Sequence, residues 1–302
     1  MATMRPWRAS SSSDRSPPNG PLPELIEDNR MNVNEPATRR ARLSVAYDGS
    51  QFHGFAMNDG VRTVAGALSD ALALISRQPV EITGAGRTDA GVHAWDQVVS
   101  CDLPIDTDID ALARRLTKMC APGIAVRAAE WASDSDFDAR SSALWRRYRY
   151  TILNDPISDP SLASTVWHVA TPLNLDLMRL ACDPLMGEHD FAAFCRKPKL
   201  SRDQVERGDP GPSMFRRVML ARWSEHVSDH GARLLRFEIQ ANAFCHQMVR
   251  SIVGTLVDVG MGKMSPGGIS GVLRSKQRSA AGTVAPPQGL TLWEVGYPDG
   301  PQ

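Results

Sequence analysis

The sequence lacks any excess of charge of one sign, because its 302 residues carry 34 lysines and arginines against 34 aspartates and glutamates. Net charge therefore gives no global sign of a nucleic-acid partner, and an RNA-binding protein of this composition must gather its cations in local patches. With 42% hydrophobic and 23% charged residues, the composition excludes a largely disordered, collagenous or coiled-coil chain. The length suits two core-forming units of roughly 150 residues each.

Cysteines and long apolar runs are also scarce. The five cysteines never form a C-x-x-C pair: they are Cys101, Cys120, Cys182, Cys195 and Cys245. This pattern favours reduced thiols over a disulfide framework or a structural zinc site, and no histidine combines with a cysteine as in a zinc-finger ligand set. The apolar segment at residues 248–260 is interrupted by Arg250 and Asp258 and is too short to span a bilayer. No secretory apolar core is present in residues 1–21. We therefore expect a cytoplasmic protein that binds neither a membrane nor a metal.

Residues 1–40 are rich in Ser, Pro, Arg and Asn and have no apolar periodicity. Such a segment buries too little surface to offset its ordering entropy, so it is predicted to be a disordered tail, as are residues 298–302. One alternative is that the arginines of the N-terminal tail assist RNA binding, although acidic residues are interleaved with them.

The rest of the chain alternates between the two secondary-structure periods. Strands are predicted at residues 42–47, 80–83, 97–102, 124–131, 145–153, 217–223, 233–240 and 290–295. Helices are predicted over residues 63–77, after Thr107 or Asp108, near Leu175, and over residues 246–259 and 268–276. This mixture predicts an α+β fold with two domains, residues 41–138 and 139–297, in which helices cover one sheet face. The open sheet face is then a place for a groove that binds a polymer.

The most unusual stretch is the loop at residues 84–93, GAGRTDAGVH, in which three glycines surround Arg87 and Asp89. Glycines let a backbone adopt positive φ or approach a ligand closely, so this loop can hold both charged side chains at a fixed place. It lacks the G-K-[ST] ending of a phosphate-binding P-loop. From these residues alone, the Arg–Asp pair either stabilises the turn or forms part of a site.

Six motifs in order resemble the tRNA pseudouridine synthase A family. They are YDGS (47–50), GRTDAGVHA (86–94), FDAR with RRYRY (137–140 and 146–150), GEHDF (187–191), ANAFCHQMVRSIVG (241–254) and APPQGL (285–290). The resemblance spans nearly the whole chain after the tail. It implies the pseudouridine synthase fold, in which two α/β subdomains with mainly antiparallel sheets flank a central RNA-binding cleft and helices lie on the outer faces.

The resemblance also implies an activity. It is that of an isomerase that converts uridine to pseudouridine at positions 38, 39 and 40 of the tRNA anticodon stem-loop, without cofactor or metal. The partners it implies are the anticodon arm of tRNA and a second copy of the chain in a homodimer. Two other functions remain open at this point: a non-catalytic tRNA-binding module with the same fold, and a nucleoside hydrolase acting on small molecules.

By resemblance, Asp89 is the catalytic nucleophile. A carboxylate can attack C1′ of the ribose or C6 of the base, or abstract the 2′ proton, and the sequence leaves these routes open. An ionised Asp in a pocket needs a compensating cation, and Arg250 is our candidate, so Arg250→Ala should lose turnover while tRNA binding largely survives. His93 is expected to support the loop by hydrogen bonding rather than to act as an acid or base.

Other residues are assigned to RNA by the same resemblance. Arg87 is assigned to flipping the uridine out of its stacked stem, and Tyr148 to stacking on the uracil. RNA binding is assigned to Phe137, Asp138, Ala139, Arg140 and Ser141. Phosphate contact is expected from two basic clusters: Arg140, Arg146, Arg147 and Arg149, and then Arg196, Lys197, Lys199 and Arg202. A third cluster, Arg274, Lys276 and Arg278, is interpreted as a solvated face.

Two stretches depart from the family pattern. Gly54-Phe-Ala-Met57 stands where Gly-Trp-Gln is common, and a longer segment with Asp209-Pro-Gly-Pro212 lies within residues 195–216. We interpret the longer segment as a mobile loop over the RNA. The overall expectation is a neutral molecule whose positive side surrounds Arg87, Arg140 and Tyr148.

Overall fold

A computed structural model describes residues 37–197, 203, 207–209 and 211–298. Almost all of the predicted N-terminal tail lies outside the described residues, as do residues 299–302, Lys199 and Arg202. Within the described part, no helix is long and apolar enough to cross a membrane.

Ten strands form a single sheet. They are β1 (Thr38–Tyr47), β2 (Ile82–Gly84), β3 (His93–Pro104), β4 (Ile124–Trp131), β5 (Trp145–Leu153), β6 (Trp167–His168), β7 (Gly187–Asp190), β8 (Phe215–Val227), β9 (Arg233–Ala241) and β10 (Leu290–Gly296). Their order is β4-β1-β3-β10-β5-β9-β8-β7, with β2 paired to β3 and β6 paired to β5. All pairs are antiparallel except β10–β3 and β5–β6. The predicted α+β class with a mainly antiparallel sheet is confirmed.

The last strand joins the two halves of the chain. β10 lies between β3 and β5, pairing Thr291 with His93 on one side and Leu292 with Tyr148 on the other. The sheet is therefore continuous from β4 to β7, and the division into domains at residue 138 stays a prediction. This continuity places the start of β3 and the middle of β5 on either side of β10.

Five helices with described bounds pack on the sheet in the part of the chain that the structure describes: α1 (Val64–Ser76), α2 (Ile109–Cys120), α3 (Leu175–Leu180), α4 (Met248–Gly260) and α5 (Gly268–Ser275). The Thr63 hydroxyl caps α1 by accepting from the Gly66 N–H, and the Asp108 carboxylate caps α2 by accepting from the Ala111 N–H. Helix α4 is buried on almost every side and begins after Gln247, whose φ is 64°. The five predicted helices agree with the observed ones to within two residues at most of their ends.

Two strands were not expected, and three begin earlier than expected: β1, β3 and β8. β6 has two residues and β7 has four, which is too short for an alternating pattern to be recognised in the sequence. β1 begins at Thr38, four residues before the predicted start, because the polar residues 38–40 pair with residues 102–104 of β3.

The two faces of the sheet differ along β5. Arg146, Tyr148 and Tyr150 are buried, whereas Arg147 and Arg149 alternate with them and lie on the other face. There the Arg149 guanidinium lies 3.5 Å from the centre of the Trp293 ring, which stacks on Trp95. That second face is therefore partly exposed and carries stacked aromatic and cationic groups.

Gly254 provides a test of how α4 packs. A Cβ at this position would lie 1.7 Å from the Thr283 carbonyl oxygen, which is backbone that cannot rotate away. We predict that Gly254→Ala lowers the free energy of unfolding by about 1–3 kcal/mol, measured by chemical denaturation.

Gly271 is the matched control, because it is an exposed residue inside α5 and a Cβ there would meet nothing within 4 Å. Gly271→Ala should leave stability unchanged or raise it by up to about 1 kcal/mol. Equal effects of the two substitutions would contradict the packing described for α4.

Candidate active site

The loop between β2 and β3 carries Arg87 and Asp89, and buried side chains hold it in place. Gln97 of β3 is fully buried; its amide Nε2 donates to the Gly86 carbonyl at 2.7 Å and its Oε1 accepts from the Gly86 N–H at 3.2 Å. The Thr88 hydroxyl lies 2.7 Å from the hydroxyl of buried Tyr47. Gly91 has a φ of 78°, which a residue with a side chain adopts rarely. The backbone on both sides of Asp89 is thus fixed by the fold.

His93 begins β3 and anchors the same loop. Its Nδ1 accepts from the Gly49 N–H at 3.1 Å, and its Nε2 lies 2.9 Å from the Ser164 carbonyl oxygen. Because Nδ1 is an acceptor, Nε2 must carry the proton that is donated to Ser164. Both ring nitrogens are occupied by backbone partners, which is the supporting contact expected from the sequence.

Arg146 is a buried link rather than a surface cation. Its Nε and Nη2 donate to the Ala85 carbonyl, its Nη2 also donates to the Arg140 carbonyl, and its Nη1 donates to those of Ala143 and Asn242. Burial lowers the pKa of Arg146. Since all five of its N–H groups have protein acceptors, the prediction that Arg146 contacts phosphate is wrong.

Asp89 projects from this loop towards the start of α4. Its Oδ2 lies 3.2 Å from Nη1 of Arg250, which also donates from Nε to the Ala285 carbonyl at 2.7 Å. Its Oδ1 lies 3.2 Å from Nε2 of His246. Each carboxylate oxygen therefore has one side-chain nitrogen at 3.2 Å, that of Arg250 through a hydrogen bond and that of His246 as a close contact, and both come from a segment about 160 residues later in the chain.

Tyr148 of β5 lies beside this carboxylate. Its ring packs edge-on against Phe244 with centroids 5.0 Å apart, and the side chain lines the same cleft as Asp89. Burial raises the pKa of Tyr148 to about 12, and the nearby Asp89 charge acts in the same direction. At neutral pH the residue is therefore an uncharged phenol that offers a flat apolar ring and one O–H donor.

The cleft around these groups has a volume of about 740 Å³. The charged side chains that line it within the described residues are those of Arg87, Arg140, Arg146, Arg196, Arg216, Arg250 and Asp89. Six arginines surround one carboxylate, so the neutral chain has the strongly cationic surface that was expected here. Such a lining suits a polyanion that presents one neutral or electrophilic group to Asp89.

The position of the cleft differs from expectation. Its wall includes Tyr148, which lies on the sheet face that carries α4, and Arg250, which belongs to α4 itself. Neither residue lies on the open face. The cleft therefore lies on the α4 side of the sheet, and polymer binding on the open face stays a prediction. The gap between the 85–92 loop and the start of α4 supplies the cavity instead.

The first basic cluster is split by the alternation of β5. Arg147 interacts with Gln240 and Glu294, and Arg149 forms an ion pair with Glu238 at 2.5 Å, all on the open face. Burial alone would raise the pKa of Glu238, but the hydrogen bonds from Arg222 and Arg149 lower it. Arg147 and Arg149 therefore lie on the opposite face from the cleft, because neighbouring residues of a strand point to opposite faces, and their contact with phosphate stays a prediction.

The segment at residues 137–141 is held mainly by its own hydrogen bonds. Asp138 accepts from the backbone N–H groups of Arg140 and Ser141, and the Ala139 carbonyl accepts from the Tyr297 hydroxyl at 2.6 Å. Phe137 packs against the Tyr297 ring with centroids 5.2 Å apart. Of these five residues only Arg140 lines the cleft; RNA contact by Phe137, Asp138, Ala139 and Ser141 stays a prediction.

Cys195 and Cys245 form a disulfide, with their Cα atoms 5.7 Å apart. The expectation of five reduced thiols is wrong for this pair and agrees with the structure for Cys101, Cys120 and Cys182, which are free and buried. The sequence does not indicate this pairing, because 50 residues separate the two positions. The two cysteines meet where the backbone N–H of Arg196 donates to the His246 carbonyl.

Two lining residues, His246 and Arg216, and one supporting residue, Gln97, had no assigned role in the sequence analysis. His246 stands in a quoted motif without a role, Arg216 belongs to no cluster, and Gln97 is only the start of a predicted strand. For His246 a signal was available, since it stands four residues before Arg250 at the start of a predicted helix. Arg216 and Gln97 reach the site through β8 and β3, and no sequence spacing indicates this.

Together, the fold and the cleft define an α+β protein with a cationic cleft around a single carboxylate. A family model described as tRNA pseudouridine synthase matches residues 181–298. A tRNA pseudouridine synthase A from Streptomyces griseus is 39% identical over 272 residues, covering 87% of this chain and 90% of that protein. One from Frankia casuarinae is 40% identical, covering 87% and 91%, and one from Bacillus subtilis is 35% identical, covering 85% and 99%. The chain belongs to the tRNA pseudouridine synthase A family, as the motifs predicted.

Burial of the tyrosines gives a prediction about alkaline pH. The sequence contains four tyrosines, and burial raises the pKa of each: Tyr47, Tyr148, Tyr150 and Tyr297. The folded state therefore favours the neutral phenols, whereas an unfolded chain ionises them at a pH of about 10. Their stabilising contribution is complete below that pH and is lost as the pH rises towards the native pKa values.

We predict that phenolate absorbance of the native protein stays low at a pH of about 10 and rises only together with unfolding, which circular dichroism can follow in parallel. Ionisation of two or more tyrosines near that pH in the folded protein would contradict the burial described here.

Proposed function

We propose that this protein isomerises uridine to pseudouridine in tRNA, at positions 38, 39 and 40 of the anticodon stem-loop, with Asp89 as the catalytic nucleophile. The observation that carries the proposal is the Asp89 carboxylate, which is the one acidic side chain among the described residues lining an arginine-rich cleft. Membership of the tRNA pseudouridine synthase A family supports the substrate class. We also propose that the protein acts in the cytoplasm as a homodimer, which rests on the family resemblance.

The chemistry needs no external redox partner. The C1′–N1 bond of uridine breaks, the uracil turns while it is held, a C1′–C5 bond forms, C5 loses its proton and N1 gains one. Atoms and electrons balance within the nucleoside and its exchangeable protons. The protein has to supply a nucleophile or base, a pocket that retains the free base, and a dry environment for both steps.

Asp89 has the environment that this role requires. Its side chain is only 29% exposed, and an unpaired carboxylate at such a site would be destabilised by the loss of water. Arg250, which is held by its own bond to the Ala285 carbonyl, supplies a compensating charge at 3.2 Å. Arg250 therefore offsets the loss of water around this carboxylate and restricts its rotation into solvent.

Binding of the target nucleotide requires it to leave the stacked stem, at a cost of a few kcal/mol. Arg87 is exposed at the edge of the cleft, where its planar guanidinium is placed to occupy the vacated space and to bond a phosphate. The Tyr148 ring beside Asp89 offers a stacking surface for the uracil. Arg140, Arg196 and Arg216 line the remaining wall and supply cations for the flanking phosphates.

The direct test is incubation of the protein with unmodified tRNA, followed by mapping of pseudouridine in the anticodon arm. Wild-type protein should form the product, and Asp89→Asn should reduce the rate by roughly a thousandfold or more. Asp229→Asn, on the exposed turn between β8 and β9, is the control that should keep full activity. Absence of product from the wild type, or undiminished product from Asp89→Asn, would refute the proposal.

A second prediction separates the two faces of the sheet. Arg87→Ala should weaken tRNA binding at every salt concentration and reduce the slope of log affinity against log salt by about one, because one phosphate contact is lost. Arg147→Ala should change neither quantity, because Arg147 is paired with Glu294 on the open face. Filter binding over a salt series measures both. A larger loss from Arg147→Ala than from Arg87→Ala would mean that the RNA binds the open sheet face, which contradicts the proposal.

A further inference from the structure

The second donor to Asp89 is a histidine to which no role has yet been given. His246 Nε2 lies 3.2 Å from Asp89 Oδ1, while Arg250 Nη1 lies 3.2 Å from Oδ2. A carboxylate oxygen accepts hydrogen bonds, so Nε2 is a partner for Oδ1 when it carries the ring proton. The side chain of His246 is 46% exposed and that of Arg250 is 14% exposed. His246 therefore contacts the carboxylate from the solvent side, and Arg250 contacts it from the protein side.

We propose that His246 is a positioning residue for the isomerisation: its Nε2–H holds Oδ1 of Asp89 so that the carboxylate keeps one orientation towards the substrate. The inference rests on the proposed function, because it concerns the reaction of that same carboxylate. It assigns His246 no contact with the nucleotide and no proton transfer to it.

Two donors achieve what a single donor cannot. A carboxylate held at one oxygen can still rotate about the bond to its Cβ, whereas a donor at each oxygen fixes the plane of the group. A carboxylate offers about four lone-pair sites, so two donors leave roughly two sites for the reacting atoms. Reaction rates respond steeply to such orientation, and a misplacement of about 1 Å can cost a hundredfold.

The backbone around His246 is built to present the ring at one place. The His246 carbonyl accepts from the Arg196 N–H at 2.9 Å, and the preceding residue, Cys245, is bonded to Cys195. The next residue, Gln247, has a φ of 64° and leads directly into α4, which also carries Arg250. Both donors to Asp89 therefore belong to one rigid segment, while Asp89 belongs to another.

Water competes with an exposed hydrogen bond, and RNA in the cleft would remove that competition. When a polyanion covers the lining residues, His246 is buried between the RNA and Asp89, and its bond to Oδ1 gains strength in the drier surroundings. The positioning effect is consequently expected on the step after binding, and not on the affinity for tRNA.

The first experiment tests the contact without any turnover. Imidazole nitrogen and proton resonances are recorded for the full-length protein labelled at histidine, in the wild type and in Asp89→Asn. We expect the His246 resonances to shift in Asp89→Asn and to stay unchanged in Asp48→Asn. The latter replaces the carboxylate that lies 3.3 Å from Nδ1 of His93, so it should move the His93 resonances. Unchanged His246 resonances in Asp89→Asn would overturn the inference.

The second experiment tests the consequence for the reaction. His246→Leu removes the donor at similar size, and His246→Gln retains an N–H donor at a similar reach. We expect His246→Leu to lower kcat roughly 10- to 100-fold with little change in KM, and His246→Gln to recover most of that loss. His230→Gln, on the exposed turn between β8 and β9, should behave as wild type.

Three kinetic results would overturn the inference: full activity of His246→Leu, an equal loss in His246→Gln, or a rise in KM with kcat unchanged, which would place His246 on the RNA. Circular dichroism and thermal melting confirm that each variant is folded. Failure of the proposed function is distinguishable, because the wild type would then form no pseudouridine while the resonances of His246 still report on its contact with Asp89.

Discussion

The buried guanidinium of Arg146 is the interaction on which the candidate site depends. Its five N–H groups bind the carbonyls of Ala85, Arg140, Ala143 and Asn242, which belong to the Asp89 loop, to the segment before β5 and to the turn before α4. A cation buried without a carboxylate partner is unfavourable, and burial lowers the pKa of Arg146 accordingly. Complete pairing with backbone oxygens makes it tolerable. The same bonds hold the walls of the cleft at a fixed separation.

This arrangement explains how Asp89 contacts side chains that follow it by about 160 residues in the chain. Asp89 is supplied by the loop before β3, and its two donors precede or begin α4, so neither half of the chain contains the complete site. β10 lies between β3 and β5 and connects the halves through the sheet. Tyr148 stands on β5 at the junction, opposite Leu292. The geometry of the candidate site is thus a property of the whole sheet.

Much of this fold could be predicted because it depends on local patterns. The caps Thr63 and Asp108 and the apolar faces behind them place α1 and α2, and the period of two places most strands. The motif around Asp89 predicted the family and the position of the central carboxylate. Three features needed the tertiary structure: Arg146 as a buried link, the pairing of Cys195 with Cys245, and the cleft on the α4 face. Each depends on which segments meet, and an alternating strand such as RRYRY does not tell which of its faces is buried.

Net charge is a second property of the sequence from which the site could not be predicted. Equal numbers of acidic and basic residues concealed a cleft in which six arginines surround Asp89. The central claim is that this cleft receives the anticodon arm and presents one flipped uridine to Asp89. A crystal structure of the protein bound to an anticodon stem-loop tests it most directly. We expect the uridine ribose and base to lie between Asp89 and the Tyr148 ring, with the neighbouring phosphates bound to Arg87 and Arg140. RNA bound instead across Trp95, Trp293 and Arg149 on the open sheet face would contradict it.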